Sequence, residues 1–265
     1  DLFFTDSGLD ISEDPDYNEN GFTNWANVCN KIKHVDKHIF NMYVNREPRF
    51  YADVTYEGKS WHIQRSSYPD WGAYFSSGGA AYRDNTMHAR AGYLLYKFNN
   101  RTLLKEGSNP TDWGRPWIYF RLADFYLYYA EVCNEINPGD ENIIKYLDLV
   151  RERAGIPNIT VTYPQDLGDK EKMREWILRE RQIELAFEGD RFWTLARRLL
   201  YEKEENRKIY RMNVLADDQG QGFAFEGFYE RKLLQTRYWD NKMYLYPIAQ
   251  TEIDRGRGLV QNPGW

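Results

Sequence analysis

Three groups of residues in this chain have types and spacings that could do chemistry. His34 and His38 stand at i, i+4, the spacing at which two imidazoles on one helix face bind zinc. Between them lie Val-Asp-Lys, with no glutamate to act as a base, and no third ligand follows at a metal-site spacing. A solvated or core-edge pair is expected, and no metal is assigned. Carboxylates recur one helical turn apart at Glu131 and Glu135, and again at Glu180, Glu184 and Glu188. Glycoside hydrolysis needs two carboxyl groups facing each other across a sugar, about 5–10 Å apart. Carboxylates on one helix point to one side, and like charges at i, i+4 repel unless cations lie between them. The expected cations are Arg181, Arg191 and the distant Arg121, and the expected role is framework. No catalytic residue and no cofactor is assigned.

The third group is the ring-rich stretch from Trp61 to Tyr82, which holds Trp61, Tyr68, Trp71, Tyr74, Phe75 and Tyr82 among Ser, Asp, Asn and Gly. A ring can lie flat on the C–H face of a sugar while neighbouring polar groups orient the hydroxyls. Fully burying a large apolar side chain is worth about 1.5–3 kcal/mol, and one-sided stacking about half that. Three such platforms gross about 3–4 kcal/mol before ordering costs, which places affinity nearer millimolar than nanomolar. Trp61, Tyr68, Trp71 and Tyr74 are the candidate ligand-binding residues. The competing reading has the same rings plugging the loop onto the core.

The elements that must position these groups follow from periodicity and punctuation. Residues 1–24 are acidic and Asn-rich and read as irregular. Trp25, Val28, Ile32, Val35, Ile39 and Met42 step at threes and fours, which predicts a helix over 24–45 that Pro48 would end. Residues 50–62 alternate loosely and read as a hairpin turning at Glu57-Gly58. Gln64–Asn85 reads as a loop. From Pro116 helices dominate: 116–136, stopped by Asn137-Pro138-Gly139; 140–154, capped by Asp140 and closed by Gly155; 169–188; and 190–200, with Gly189 left-handed and Asp190 as cap. Residues 224–247 alternate aromatic and polar around Trp239–Lys242 and read as a β-hairpin, followed by a surface tail. The fold class expected is mainly α, with tetratricopeptide-like helix pairs, long loops and a small β-hairpin. No clean 34-residue repeat is present to establish those pairs by periodicity alone.

Composition limits the function. The 265 residues are 17% aromatic and carry a net charge of −5, which argues against a nucleic-acid partner. No run approaches the about 18 apolar residues of a membrane span. Cys29 and Cys133 make no disulfide framework. Gly220-Gln221-Gly222 precedes a strand pattern and not a helix, so it implies no phosphate cradle.

Glu180–Arg197, ERQIELAFEGDRFWTLAR, resembles the signature of the SusD/RagB family, the surface nutrient-binding lipoproteins of Bacteroidota. Arg121–Glu135 (RLADFYLYYAEVCNE), Val150–Gly155 (VRERAG), Glu47–Tyr51 (EPRFY), Tyr93–Phe98 (YLLYKF) and Tyr244–Trp265 are similar to further family segments in the same order. The tail departs at Arg255–Gly258, where the family usually has Asn-Pro. Family members are about twice this long, so the chain reads as a C-terminal portion.

The resemblance implies the helix pairs. It also implies non-catalytic binding of an oligo- or polysaccharide on the outer-membrane surface and delivery to a SusC-like TonB-dependent transporter. The membrane would be reached only through a lipid anchor that this chain lacks. The alternative is a peptide- or protein-binding helical module of the same uptake system, with Tyr126, Tyr128 and Tyr129 as its candidate exposed rings. A single region is expected over 1–265: a loop-rich ligand side over 1–115, helical pairs over 116–200, and a hairpin and tail over 201–265.

Overall fold

The computed structural model describes residues 2–24, 38–60, 72–75, 89–98, 118–216, 226–256 and 258–265. After an irregular start, strands β1 (Phe22–Asn24) and β2 (His38–Phe40) pair antiparallel. Helix α1 (Pro48–Asp53) runs into β3 (Val54–Thr55), which pairs antiparallel with β4 (Leu94–Leu95). Five helices follow: α2 (Leu122–Ile136), α3 (Glu141–Ala154), α4 (Ile159–Thr162), α5 (Lys170–Glu184) and α6 (Asp190–Arg197). Strands β5 (Lys208–Arg211) and β6 (Lys232–Thr236) pair antiparallel, and α7 (Gln250–Ile253) lies in the tail. The architecture is mainly α with small two-stranded ribbons. No helix among the described residues is long and apolar enough to cross a membrane.

The helical frame is built on local signals. Asp140 accepts from the Asn142 amide at the start of α3, and Asp169 accepts from Glu171 and Lys172 at the start of α5. Each satisfies amides that the first turn leaves without partners. Gly155 ends α3 at φ +80°, and the Ile156 amide bonds the Arg151 carbonyl at 3.1 Å, which is a Schellman closure. Leu127 and Ala130 of α2, Ile143, Leu147 and Val150 of α3, and Met173 and Ile177 of α5 interlock in one buried core.

A second core is made largely of rings. Tyr43, Phe50, Tyr56, Phe75, Phe228 and Tyr229 are buried together with Ile39, Met42 and Met212. Phe40 stacks on Tyr229 at 3.8 Å between centroids, and Tyr43 packs at a tilt against Tyr56 at 4.4 Å. Phe4, fully buried, joins Ala154, Ile156 and Ile183 between the two cores. The irregular first segment is thus seated in the fold.

Several expectations are corrected. The helix over 24–45 is not formed at its described ends. Residues 22–24 and 38–40 are paired strands and Asn41–Tyr43 is a single 3-10 turn; positions 25–37 lie outside the described residues. Ile39, Phe40, Met42 and Tyr43 are all buried, so the apolar steps reflect a buried run and not one face of a helix. Pro48 begins α1 instead of ending a helix, since its ring suits the first helical position.

The turn at Gly58 exists, at φ +79°, but β3 finds its partner at β4, not in a local hairpin. Likewise β6 pairs back to β5. Trp239 instead stacks on Tyr201 at 4.0 Å and leads into a 3-10 turn at Asn241–Tyr244. Helix α5 stops at Glu184, four residues early, and Gly189 (φ +84°), not Asp190, holds the cap position of α6. Asp190 turns its carboxylate to Arg181 and Thr194 instead.

Candidate functional site

The glutamate ladder of α5 is the hub of a buried ion network. Glu180 pairs with Arg49 at 2.5 Å and Arg151 at 3.2 Å. Glu184 takes Arg49 at 3.1 Å together with Arg121 and Arg153. Glu188 takes Arg121 and Lys97, each at 2.7 Å, and Lys97 reaches Asp53 at 3.4 Å. Glu47 pairs with Arg49 at 2.6 Å. Among the described residues, five carboxylates (Glu47, Asp53, Glu180, Glu184, Glu188) thus meet five cations (Arg49, Lys97, Arg121, Arg151, Arg153) in one connected, charge-balanced set.

Burial alone would raise the pKa of Glu184 and Glu188. Arg121 and the other cations outweigh it and hold both below the ordinary carboxylate value. At Glu47 and Asp53 burial wins, and both are raised.

Arg121 was an expected partner and is one. Arg181 is not: it bonds Asp124 and Asp190 and lies 3.6 Å over the Tyr128 ring. Arg191 bonds Asn206 at 2.7 Å. Most residues that join the ladder from elsewhere in the chain have a sequence signal in retrospect. Glu47 and Arg49 come from EPRFY, Lys97 from YLLYKF, Arg121 from RLADFYLYYAEVCNE, and Arg151 and Arg153 from VRERAG. Each charge stands in a segment that looked like an isolated motif, and five of the six segments converge on this network.

The network fixes a turn. The Glu184 carbonyl accepts from Lys97 Nζ at 2.8 Å and from Arg121 at 2.6 Å, and the Glu188 amide bonds the Leu185 carbonyl at 3.0 Å. Between these anchors Phe187 is held at φ +67° with its ring half exposed. A bulky residue is rarely left-handed, and such strain persists only where the surroundings enforce it.

Phe187 overhangs an open cavity of about 290 Å³, lined also by Phe3, Met42, Phe50, Val54, Tyr93, Tyr210, Arg211, Met212 and Arg231. That is near the lower end of the roughly 300–1,000 Å³ usual for small-molecule pockets. Tyr210 is half exposed at the rim. Burial raises the Tyr93 pKa, so its phenol stays neutral. Arg46 lies under the floor, 4.9 Å from the Phe50 ring centre, and donates to the carbonyls of Met42 at 3.0 Å and Phe3 at 2.9 Å. No carboxylate is among the described lining residues.

Of the ring residues expected to bind ligand, Trp61, Tyr68 and Trp71 lie outside the described residues. Tyr74 is half-buried, between buried Ala73 and Phe75, with its ring folded over Gly72. His34 and Cys29 also fall outside the described residues. His38 is exposed, and no acidic, His or Cys group among the described residues is arranged to hold a metal. Cys133 is a buried free thiol. Glu131 is paired with Arg197 at 2.7 Å and Glu135 with Arg174 at 2.5 Å, so both are held as ion-pair partners.

Fold and network together define a mainly helical protein whose signature residues act as internal struts. The chain matches the SusD family over residues 2–265 and belongs to it. SusD-like protein P2 of Formosa agariphila is 26% identical over 239 residues, 81% of this chain and 43% of that protein. The fold superposes on that of BT4246, in its selenomethionine form, with a TM-score of 0.80 and 28% identity over 100% of this chain and 44% of that one. A SusD-like carbohydrate binding protein of Bacteroides fragilis, BF0978, shares the fold with a TM-score of 0.60 at 20% identity, over 96% of this chain and 45% of that one. The chain spans less than half the length of these relatives.

Proposed function

We propose that this chain binds a glycan without transforming it, as part of a nutrient-uptake system on the outer-membrane surface, and delivers it to a TonB-dependent transporter. Residues 1–265 act as one binding unit on this reading. The observation that carries it is the ring-lined cavity beside Phe187, which offers stacking faces and arginine donors and, among its described lining residues, no carboxylate for hydrolysis. Membership of the SusD family supports it, as does the carbohydrate-binding description of a protein that shares its fold. The rings Trp61, Tyr68, Trp71 and Tyr74 are proposed as a second contact surface. A glycan array on the folded protein, followed by titration calorimetry of Phe187→Ala and Trp71→Ala, tests both. Hits on the array with weakened binding in either variant support the reading; an array blank for every glycan ends it.

One observation favours the second reading, a protein-binding module. On α2 the side chains of Leu122, Phe125, Tyr129, Val132 and Ile136 form an apolar stripe, each about half exposed or more. Of the rings expected on such a stripe only Tyr129 belongs to it. Tyr126 packs on Tyr146 at 5.1 Å and Tyr128 under Arg181. Co-purification with the transporter, lost in Phe125→Ser, would favour this reading over soluble glycan capture.

A further inference from the structure

The cavity beside Phe187 holds a cation that the other described residues leave unmatched. Arg49, Arg121, Arg151, Arg174 and Arg197 all lie against carboxylates, as expected in a chain with 40 acidic and 35 basic residues. Arg211, on β5, has no ion pair or hydrogen bond to its guanidinium among the described residues, and its Nε is buried without a partner. A buried donor that has left water without gaining an acceptor is unfavourable, the more so when charged. Arg231, also on the lining, has among the described residues a single ion pair, to Glu19 at 3.8 Å, with both side chains nearly half exposed, a pair of little strength. The adjacent acid, Glu230, is turned to Lys232 at 2.7 Å. Arg46 adds a third positive charge beneath the floor.

From this geometry we infer that the cavity takes a sugar unit bearing an anionic group, a carboxylate or a sulfate. The inference rests on the glycan reading above and names the ligand class. The anion would lie on Arg211, with Arg231 at its edge. The flat faces of the sugar would meet Phe187, Tyr210 and Tyr93. A purely apolar ligand would bury Arg211 still without an acceptor. An inorganic anion would make no use of the rings. The cavity is small, about 290 Å³, so recognition falls on a short charged stretch of a longer chain.

The test is titration calorimetry of the whole chain with length-matched oligosaccharides in three forms: neutral hexose, hexuronate, and sulfated hexose. At least one anionic form should bind about tenfold or more tighter than the neutral one, the ratio expected for a charge-assisted hydrogen bond, and 0.5 M NaCl should shrink that preference. Which anionic arm responds distinguishes carboxylate from sulfate. Arg211→Met should abolish the preference, bringing the anionic-to-neutral affinity ratio to about one. Arg231→Gln, at an exposed position, should reduce it by a smaller factor and gives the same comparison if Arg211→Met does not fold. If neutral and anionic forms bind equally and neither variant changes that, the inference is overturned while the glycan reading stands. If no form binds at all, the glycan reading falls and takes this one with it.

Discussion

Arg121→Met is the sharpest probe of the ion network. Arg121 donates to Glu184 Oε1, to both carboxylate oxygens of Glu188, and to the Glu184 carbonyl. Removing one partner from a fully buried ion pair costs about 3–5 kcal/mol. Here the loss is smaller for two reasons. The Arg121 side chain is 23% exposed, so water screens part of the interaction, and Glu184 keeps Arg49 and Arg153 while Glu188 keeps Lys97. A destabilisation of about 2 kcal/mol follows, or roughly 4–8 °C in Tm for a chain of this size. Calorimetry at pH 7, with urea unfolding as a second measure, reads it. Combining Arg121→Met with Glu188→Gln in a double-mutant cycle should return a coupling of about 1 kcal/mol. A melting temperature within about 1 °C of the parent, with no coupling, would refute the claim that this network holds the frame.

Two further outcomes follow from the same geometry. At Phe187 the left-handed backbone makes glycine the better small residue, so Phe187→Gly should be about 1 kcal/mol more stable than Phe187→Ala in parallel urea titrations; equal stabilities would mean the turn is not strained. Glu135, held by hydrogen bonds from Arg174 and by Arg198 and Lys170, has its pKa lowered from 4.5 to about 2. Its contribution is fully present above pH 4.5 and is lost as pH falls toward 2. Glu135→Gln should therefore be less stable than the parent at pH 7, with the two stability curves converging as pH falls toward 2; parallel curves would contradict the pairing.

What could be read in advance was local. Asp140 and Gly155 announce the ends of α3 because capping is decided within a few residues, and the like-charged ladder at Glu180, Glu184 and Glu188 demanded cations on electrostatic grounds alone. Which cations could not be read. Arg49 lies 131 positions from Glu180 and Arg153 lies 31 from Glu184, and no periodicity encodes such pairings. Arg181 looked equally suitable, but its place on α5 turns it toward Asp124 of α2 and Asp190. The strands were misjudged for a related reason. β3 and β6 lie in segments read as local hairpins, yet their partners come from β4 and β5, across intervening chain that a hairpin reading skips. The cavity was invisible for the same reason, since its lining runs from Phe3 to Arg231 and no two of its elements announce each other.

The seat of Phe4 bears on how the chain acquires its structure. Its ring lies 6.3 Å from Trp176 and beneath the guanidiniums of Arg151 at 4.9 Å and Arg179 at 4.4 Å, while Arg179 also bonds the Leu2 carbonyl, 177 positions away. A ribosome adding about 5–20 residues per second reaches Arg179 some ten seconds or more after Phe4 emerges. The Phe4 ring therefore waits, unsheltered, for the closing strut of its own socket, and topology of this kind slows assembly.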